Sequence, residues 1–260
     1  MVNQLAKDGY MVLPWDRAVA SWAMAAHPEA LKTTANPAQQ DHWLRHGQTW
    51  FVGVDALPNA PDGSIGGVAL GGAWQDLVQL PTQWHKAQLS VIYPGYPRRD
   101  AAETDSAHQF RLTRDAAHLD GLLAEGPGKR RHLREPHSFV LGIGLNAVGA
   151  GASPLVVWEG SHHLIRAAFA AAFAGIRPAD WANVDVTDIY QAARGQVFAT
   201  CPRRLITPAF GQAVLVHRLA IHGVAPWERG ARALPEGRMI AYFRPILVDP
   251  ADWLAPDDVT

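Results

Sequence analysis

Gln88-Leu89-Ser90-Val91-Ile92-Tyr93, closed by Pro94-Gly95, decides the fold class. A short run rich in β-branched and aromatic residues, stopped by a turn pair, reads as a β-strand. The same pattern returns down the chain. Phe139-Val140-Leu141-Gly142-Ile143-Gly144-Leu145, Leu155-Val156-Val157-Trp158, Arg204-Leu205-Ile206, Ala213-Val214-Leu215-Val216-His217 and Met239-Ile240-Ala241-Tyr242-Phe243 all predict strands. Ahead of them, residues 3–8 predict a short helical turn broken by Gly9. Tyr10-Met11-Val12-Leu13 predicts a strand ended by Pro14. Residues 16–32 predict a helix with Asp16 as its N-cap. Residues 33–85 predict loops, short strands such as Trp50-Phe51-Val52-Gly53-Val54, and one helix near 74–80. Two further helices are expected, one over about 162–175 capped by Ser161 and one near 187–194 ended by Gly195. The expectation is a mainly β chain with helical cover (α+β), a β-sandwich or jelly roll, in one domain over residues 1–260. No internal repeat or linker stands out.

The totals exclude several classes. Of 260 residues 48% are hydrophobic, enough for a sizeable core. Lys and Arg total 23 against 24 Asp and Glu, a formal net charge of −1, so the basic excess of a nucleic-acid binder is missing. The one basic run, Lys129-Arg130-Arg131-His132-Leu133-Arg134, reads as a solvated loop. A single cysteine, Cys201, permits no internal disulfide and fits a reducing compartment. No apolar run reaches the ~18 residues needed to span a bilayer. Met1-Val2-Asn3-Gln4 opens without a basic segment and an apolar stretch, so no signal peptide is expected. The reading is a cytoplasmic protein.

Chemistry enters through the 12 histidines. With 24 acidic residues in 260 positions, about one His-x-Asp/Glu triplet arises by chance, so the triplet alone is weak. Two occur. His27-Pro28-Glu29 lies at the end of an expected helix, where Pro28 restricts the backbone. His118-Leu119-Asp120 ends a stretch read as β-rich and is followed by Gly121. In extended chain, residues i and i+2 point the same way, so an imidazole and a carboxylate reach one ion together. A third ligand must come from a distant strand. His222, beside Gly223 at the end of the run that starts at Gly211, is preferred over His217. Five positions apart in a continuous strand, the two would face opposite sides. Two histidines and one carboxylate with open positions suit non-haem Fe(II) oxygen chemistry, and zinc accepts similar ligands.

With these residues in place the chain resembles the phytanoyl-CoA dioxygenase-like family of Fe(II)/2-oxoglutarate oxygenases. Lys7-Asp8-Gly9-Tyr10-Met11-Val12-Leu13 is similar to its opening segment, and Leu89 through Gly95 to the strand before its iron motif. His118-Leu119-Asp120 stands at the family's His-x-Asp. Pro154-Leu155-Val156-Val157-Trp158-Glu159-Gly160-Ser161-His162 resembles its P-L-x-V-x-P-G-S-H segment, with Glu159 in the proline position. Gly211-Gln212-Ala213-Val214-Leu215-Val216-His217 through His222-Gly223 resembles the strand leading to its distal His-Gly, with Gln212 for the usual Asp. The match runs thinly over residues 4–245, and residues 33–85 add little.

The resemblance implies a double-stranded β-helix, an Fe(II) ion, 2-oxoglutarate as co-substrate, dioxygen, and hydroxylation of a small organic substrate with release of succinate and carbon dioxide. It also implies an Arg beyond the distal His to bind the far carboxylate of 2-oxoglutarate, because a guanidinium fork grips a carboxylate at two points. Arg238 directly precedes a strand and fits best, with Arg232 as the alternative. Tyr93 is a further candidate contact for the co-substrate. Retention of Asp120 argues against halogenation, since halogenating relatives lack that carboxylate. Arg111, Arg114 and the 129–134 run flank the iron motif and point to an anionic substrate, with Trp158 a candidate pocket wall. Two other readings stand beside this one. They are a cupin-like metalloenzyme that does not use 2-oxoglutarate, and a non-catalytic small-molecule binder. Substrate identity and oligomeric state are not legible.

Overall fold

A computed structural model describes residues 4–256. The elements run α1 (Gln4–Asp8), β1 (Tyr10–Val12), α2 (Arg17–Ala35), α3 (Pro37–Trp43), β2 (Leu44–Arg45), β3 (Trp50–Phe51), β4 (Gln88–Ile92), α4 (Asp105–Arg114), β5 (Leu122–Glu125), β6 (Arg130–Leu133), β7 (Phe139–Gly144) and β8 (Leu155–Trp158). They continue with α5 (Ser161–Ala172), α6 (Thr187–Thr200), β9 (Arg203–Ile206), β10 (Ala213–His217), β11 (His222–Val224) and β12 (Arg238–Phe243). The larger sheet has the order β1-β10-β7-β12-β4-β3-β2 and the smaller β11-β8-β9. All their pairings are antiparallel. An antiparallel bridge between His118 and His222 adds the 118 segment at the free edge of β11. Two four-stranded sheets follow, β4-β12-β7-β10 and 118-β11-β8-β9, with the chain passing back and forth between them. This is the double-stranded β-helix form of the jelly roll.

Alternation along the strands sorts the side chains into three cores. Val140, Leu155, Val157, Val214 and Val216 lie between the sheets. Leu89, Val91, Leu141, Leu215, Ala241 and Phe243 point from the outer face of the large sheet onto Trp22, Ala23 and Ala26 of α2. Val156 and Trp158 point from the outer face of the small sheet onto Ile165 and Phe169 of α5 and Tyr190 and Val197 of α6. Each such buried large apolar side chain contributes roughly 1.5–3 kcal/mol relative to exposure. Among the described residues no helix is long and apolar enough to cross a membrane.

Several expectations are corrected. The turn expected over 3–8 forms as α1, while residue 3 and the opening Met1-Val2-Asn3 lie outside the described residues. Asp16 caps α2 by accepting from the Ala18 N–H, but the helix runs through Pro28 to Ala35 rather than stopping at 32. Asn36 then caps α3, an unexpected helix with Pro37 in its first turn. The helix expected near 74–80 is a single 3-10 segment, Ala73–Leu77. Ser161 is the first residue of α5 rather than its cap, and its hydroxyl accepts from the Ile221 N–H at 2.9 Å. Gly195 lies inside α6, which continues to Thr200 because Ala193 and Val197 anchor it in the core. The basic run is strand β6 rather than a loop, with Arg130 paired to Asp185 and Asp188 and Arg134 to Glu125. Most consequentially, the stretch before His118 is helix α4, not β.

Candidate metal centre

The His118–His222 bridge places the first two functional side chains. His118 N–H donates to the His222 carbonyl at 2.8 Å and His222 N–H returns a bond to the His118 carbonyl at 3.1 Å. Residues that exchange both bonds across an antiparallel pair put their side chains on one face. His222 is also in register with Val157, whose side chain lies between the sheets, so this face is the barrel interior. Asp120, two positions on, joins them. His118 Nε2 is 3.3 Å from Asp120 Oδ1 and His222 Nε2 is 3.4 Å from Asp120 Oδ2. The three ligand atoms lie within 4.8 Å of one another.

The surroundings orient each ligand. His118 Nδ1 donates to the Ala116 carbonyl at 3.0 Å, and His222 Nδ1 donates to the Ala220 carbonyl at 2.9 Å. Because a carbonyl can only accept, both protons sit on Nδ1 and both Nε2 lone pairs face Asp120, the second contact that fixes a metal-binding tautomer. Burial alone would raise the Asp120 carboxyl, but the His222 and His118 imidazoles and the Arg244 guanidinium hold it well below the ordinary carboxylate range. Burial opposes protonation of His222, and the Asp120 charge outweighs it and raises the imidazole. The carboxylate is ionised, and a cation would take the place of the proton that the Asp120 charge favours on His222. Ligands at ~2.0–2.2 Å from a shared cation stand about 3–3.5 Å apart, and the two His–Asp spacings fit. His118 keeps 45% of its side-chain surface, against 8% for Asp120, so the open side of the triad lies beyond His118.

Close packing behind the triad demands glycine. A Cβ on Gly223 would stand 2.2 Å from the Asp115 carbonyl oxygen. That closeness lets Val224 N–H donate to the same carbonyl at 2.8 Å. Asp115 and Ala116 both take left-handed backbone, φ 55° and 52°. The Asp115 carboxylate, almost fully buried, pairs with Arg203 through two bonds of 2.7 Å. The turn delivering His118 is thus clamped on both sides.

Arg238 lies on the same interior. It pairs in register with Ile92, is 1% exposed, and its Nη2 is 3.4 Å from the Tyr242 hydroxyl. Its Nε and Nη1 are buried with no hydrogen-bond partner among the described residues. A buried guanidinium with idle donors is costly and calls for an anion. The space beside it, lined by Gly142, Leu155, Val214, Ile240 and Tyr242, measures about 10 Å³. That is room for one water, so a larger group must displace side chains.

The other sequence candidates stand elsewhere. Arg232 is exposed on the loop before β12, with its carbonyl accepting from the Gly149 N–H. Tyr93 packs against the α2-side core, on the opposite face from Arg238. Trp158 faces Phe198 of α6, 5.2 Å between ring centroids, in the outer core. Arg111 on α4 donates to Glu103 at 2.7 Å. His217 ends β10, and its Nδ1 accepts from the Leu219 N–H. The chain turns there into the other sheet, so the continuous strand assumed between His217 and His222 does not exist. The residue the sequence reading passed over is Arg244, whose Nη1 is 3.4 Å from Asp120 Oδ1. A signal was present, since 238, 240, 242 and 244 alternate onto one face of β12 and its continuation.

No family model matches the chain, and no curated protein matches it. Among solved structures, EctD from S. alaskensis with 2-oxoglutarate and 5-hydroxyectoine is 16% identical, covering 93% of this chain and 73% of that one, with a TM-score of 0.45. The non-heme alpha ketoglutarate dependent epimerase SnoN from nogalamycin biosynthesis is 10% identical over 93% of this chain and 78% of its own, TM-score 0.41. The carbocyclase SnoK from the same biosynthesis is 13% identical over 99% and 90%, TM-score 0.38. Likenesses at this level bear on neither activity nor substrate. The fold assignment rests on strand order and register.

Proposed function

We propose that this chain is a non-haem Fe(II)- and 2-oxoglutarate-dependent dioxygenase of the phytanoyl-CoA dioxygenase-like type, hydroxylating a small organic substrate. One observation carries the reading. Two imidazoles and one carboxylate converge with an open side, while a buried guanidinium on the same barrel interior holds two donor nitrogens with no acceptor among the described residues. The first half suits Fe(II) with free positions, and the second suits the distal carboxylate of a chelating diacid.

In this reading His118, Asp120 and His222 hold the iron. Bound iron with 2-oxoglutarate and dioxygen supplies the oxidising power, at the expense of decarboxylation to succinate. The chain's own residues bind and orient. Ala116 and Ala220 carbonyls fix the imidazoles, Arg238 anchors the co-substrate's far carboxylate, and Tyr242 supports that guanidinium. The space beside Arg238 is water-sized, so seating the co-substrate there requires its lining side chains to move. Asp120 occupies the position a halide would need, which directs the outcome to hydroxylation.

The test is stoichiometric. With Fe(II), 2-oxoglutarate and oxygen, a panel of small metabolites is screened for succinate release. Substrate-stimulated succinate supports the proposal. Metal-dependent turnover without succinate points to a cupin-like enzyme, and ligand binding indifferent to iron points to a receptor.

A further inference from the structure

The arginines that the sequence places around the iron motif are engaged elsewhere. Arg111 pairs with Glu103, Arg130 with Asp185 and Asp188 and Arg134 with Glu125, while Arg131 donates to the Leu122 carbonyl and Arg114 lies over the Phe198 ring. Arg244 is different. Phe243 points to the α2-side core, so Arg244 turns to the opposite side, toward the triad. Its main chain is gripped twice. Arg244 N–H donates to His85 Nε2 at 2.7 Å, and His137 Nδ1 donates to the Arg244 carbonyl at 2.9 Å. His85 Nδ1 lies 2.6 Å from the Lys86 carbonyl, which fixes the tautomer that leaves Nε2 as acceptor. The Arg244 side chain is 20% exposed, touches Asp120 with one nitrogen, and buries Nε without a hydrogen-bond partner among the described residues.

We infer that Arg244 is a specificity-determining residue that binds a carboxylate on the substrate at the open side of the metal centre. The inference rests on the oxygenase reading for its substrate but not for its binding chemistry. Arg238 and Arg244 are six residues apart, roughly 20 Å along an extended chain, so they address different groups. Arg238 is sealed in the barrel, whereas Arg244 is partly open and meets the same Asp120 oxygen that the exposed His118 approaches. Asp120 consumes one donor at 3.4 Å, and a fork of five donors has capacity for a planar two-oxygen acceptor. A carboxylate is favoured over a phosphate because the Asp120 charge repels a dianion more strongly than a monoanion.

The experiment is calorimetric titration of the anaerobic Fe(II)-loaded protein with benzoate, benzamide and, separately, 2-oxoglutarate. Saturable benzoate binding is expected, with none for benzamide. Arg244→Met weakens benzoate at least ten-fold and leaves 2-oxoglutarate within about three-fold of wild type. Arg244→Lys, which keeps the charge but loses the fork, gives intermediate benzoate affinity and covers the case of an unfolded Met variant. Arg238→Met leaves benzoate binding unchanged. The inference is overturned if Arg244→Met binds benzoate as wild type does, if benzamide binds as well as benzoate, or if Arg244→Met loses 2-oxoglutarate to the extent that Arg238→Met does. Failure of the wild type to bind 2-oxoglutarate sinks the oxygenase reading instead, and the benzoate titrations still decide the role of Arg244.

Discussion

His118 and His222, 104 positions apart, are joined by two reciprocal backbone hydrogen bonds of 2.8 and 3.1 Å. Their imidazoles converge because of this pairing, not because of any local motif. The candidate metal centre is therefore a property of the small sheet's edge, and disturbing that edge disturbs the site.

Metal binding is expected to stabilise the fold. A divalent ion at 100-fold its dissociation constant adds about 2.7 kcal/mol, worth roughly 5–10 °C in Tm for a chain of this size. Thermal melts with and without Fe(II) or Zn(II) under anaerobic conditions measure it. His118→Ala and Asp120→Ala are expected to lose the shift. An undiminished shift in both variants places the ion elsewhere.

Asp115 tests the turn that delivers His118. Its left-handed backbone is one asparagine tolerates, so Asp115→Asn isolates the lost charge opposite Arg203, at about 1 kcal/mol in a denaturant melt. Asp115→Ala adds backbone strain and costs about 1 kcal/mol more. Both are expected to weaken metal affinity. Equal stability of the Ala and Asn variants contradicts the strain argument.

Gly223→Ala is expected to cost about 1–3 kcal/mol and most of the metal affinity, because the new methyl meets the Asp115 carbonyl oxygen at 2.2 Å. Gly230→Ala is the control, since it meets no neighbour and tests only its φ of 85°. Retained metal binding in Gly223→Ala shows that the edge can slide.

Buried His46 gives a pH dependence with a defined sign. Burial, with help from the Arg111 charge, pushes its imidazole below 6.5, and Glu103 and Asp100 counter only in part. The folded state therefore binds this proton less readily than the unfolded chain. The contribution is complete above the unfolded value of about 6.5 and is lost as pH falls toward the depressed folded value. Stability of the wild type is expected to drop between pH 7 and pH 5 more steeply than that of His46→Gln. Parallel curves remove His46 from the account.

Strands were legible in the sequence because β-branched runs stopped by Gly and Pro leave few alternatives, as at Gln88–Ile92 and Ala213–His217. Helix α4 was not, because Asp105–Arg114 buries no residue and carries no apolar stripe. The basic run concealed β6 because its partners, Asp185 and Asp188, lie more than 50 positions away. His118, Asp120 and His222 stand out in the sequence and stand together in the fold, but setting His217 aside requires a continuous strand, and the strand breaks at residue 217. Alternation along β12 and its continuation puts Arg244 on the interior face, but its meaning depends on Asp120, 124 positions earlier, and on His85 and His137 holding its backbone.

The most direct measurement of the central claim is the visible spectrum of the anaerobic protein titrated with Fe(II) and then 2-oxoglutarate. A weak charge-transfer band is expected in the wild type. It is expected to vanish in His118→Ala and to require at least ten-fold more 2-oxoglutarate in Arg238→Met, while Arg232→Met behaves as wild type. A featureless wild-type spectrum with iron shown to be bound at the triad contradicts the account.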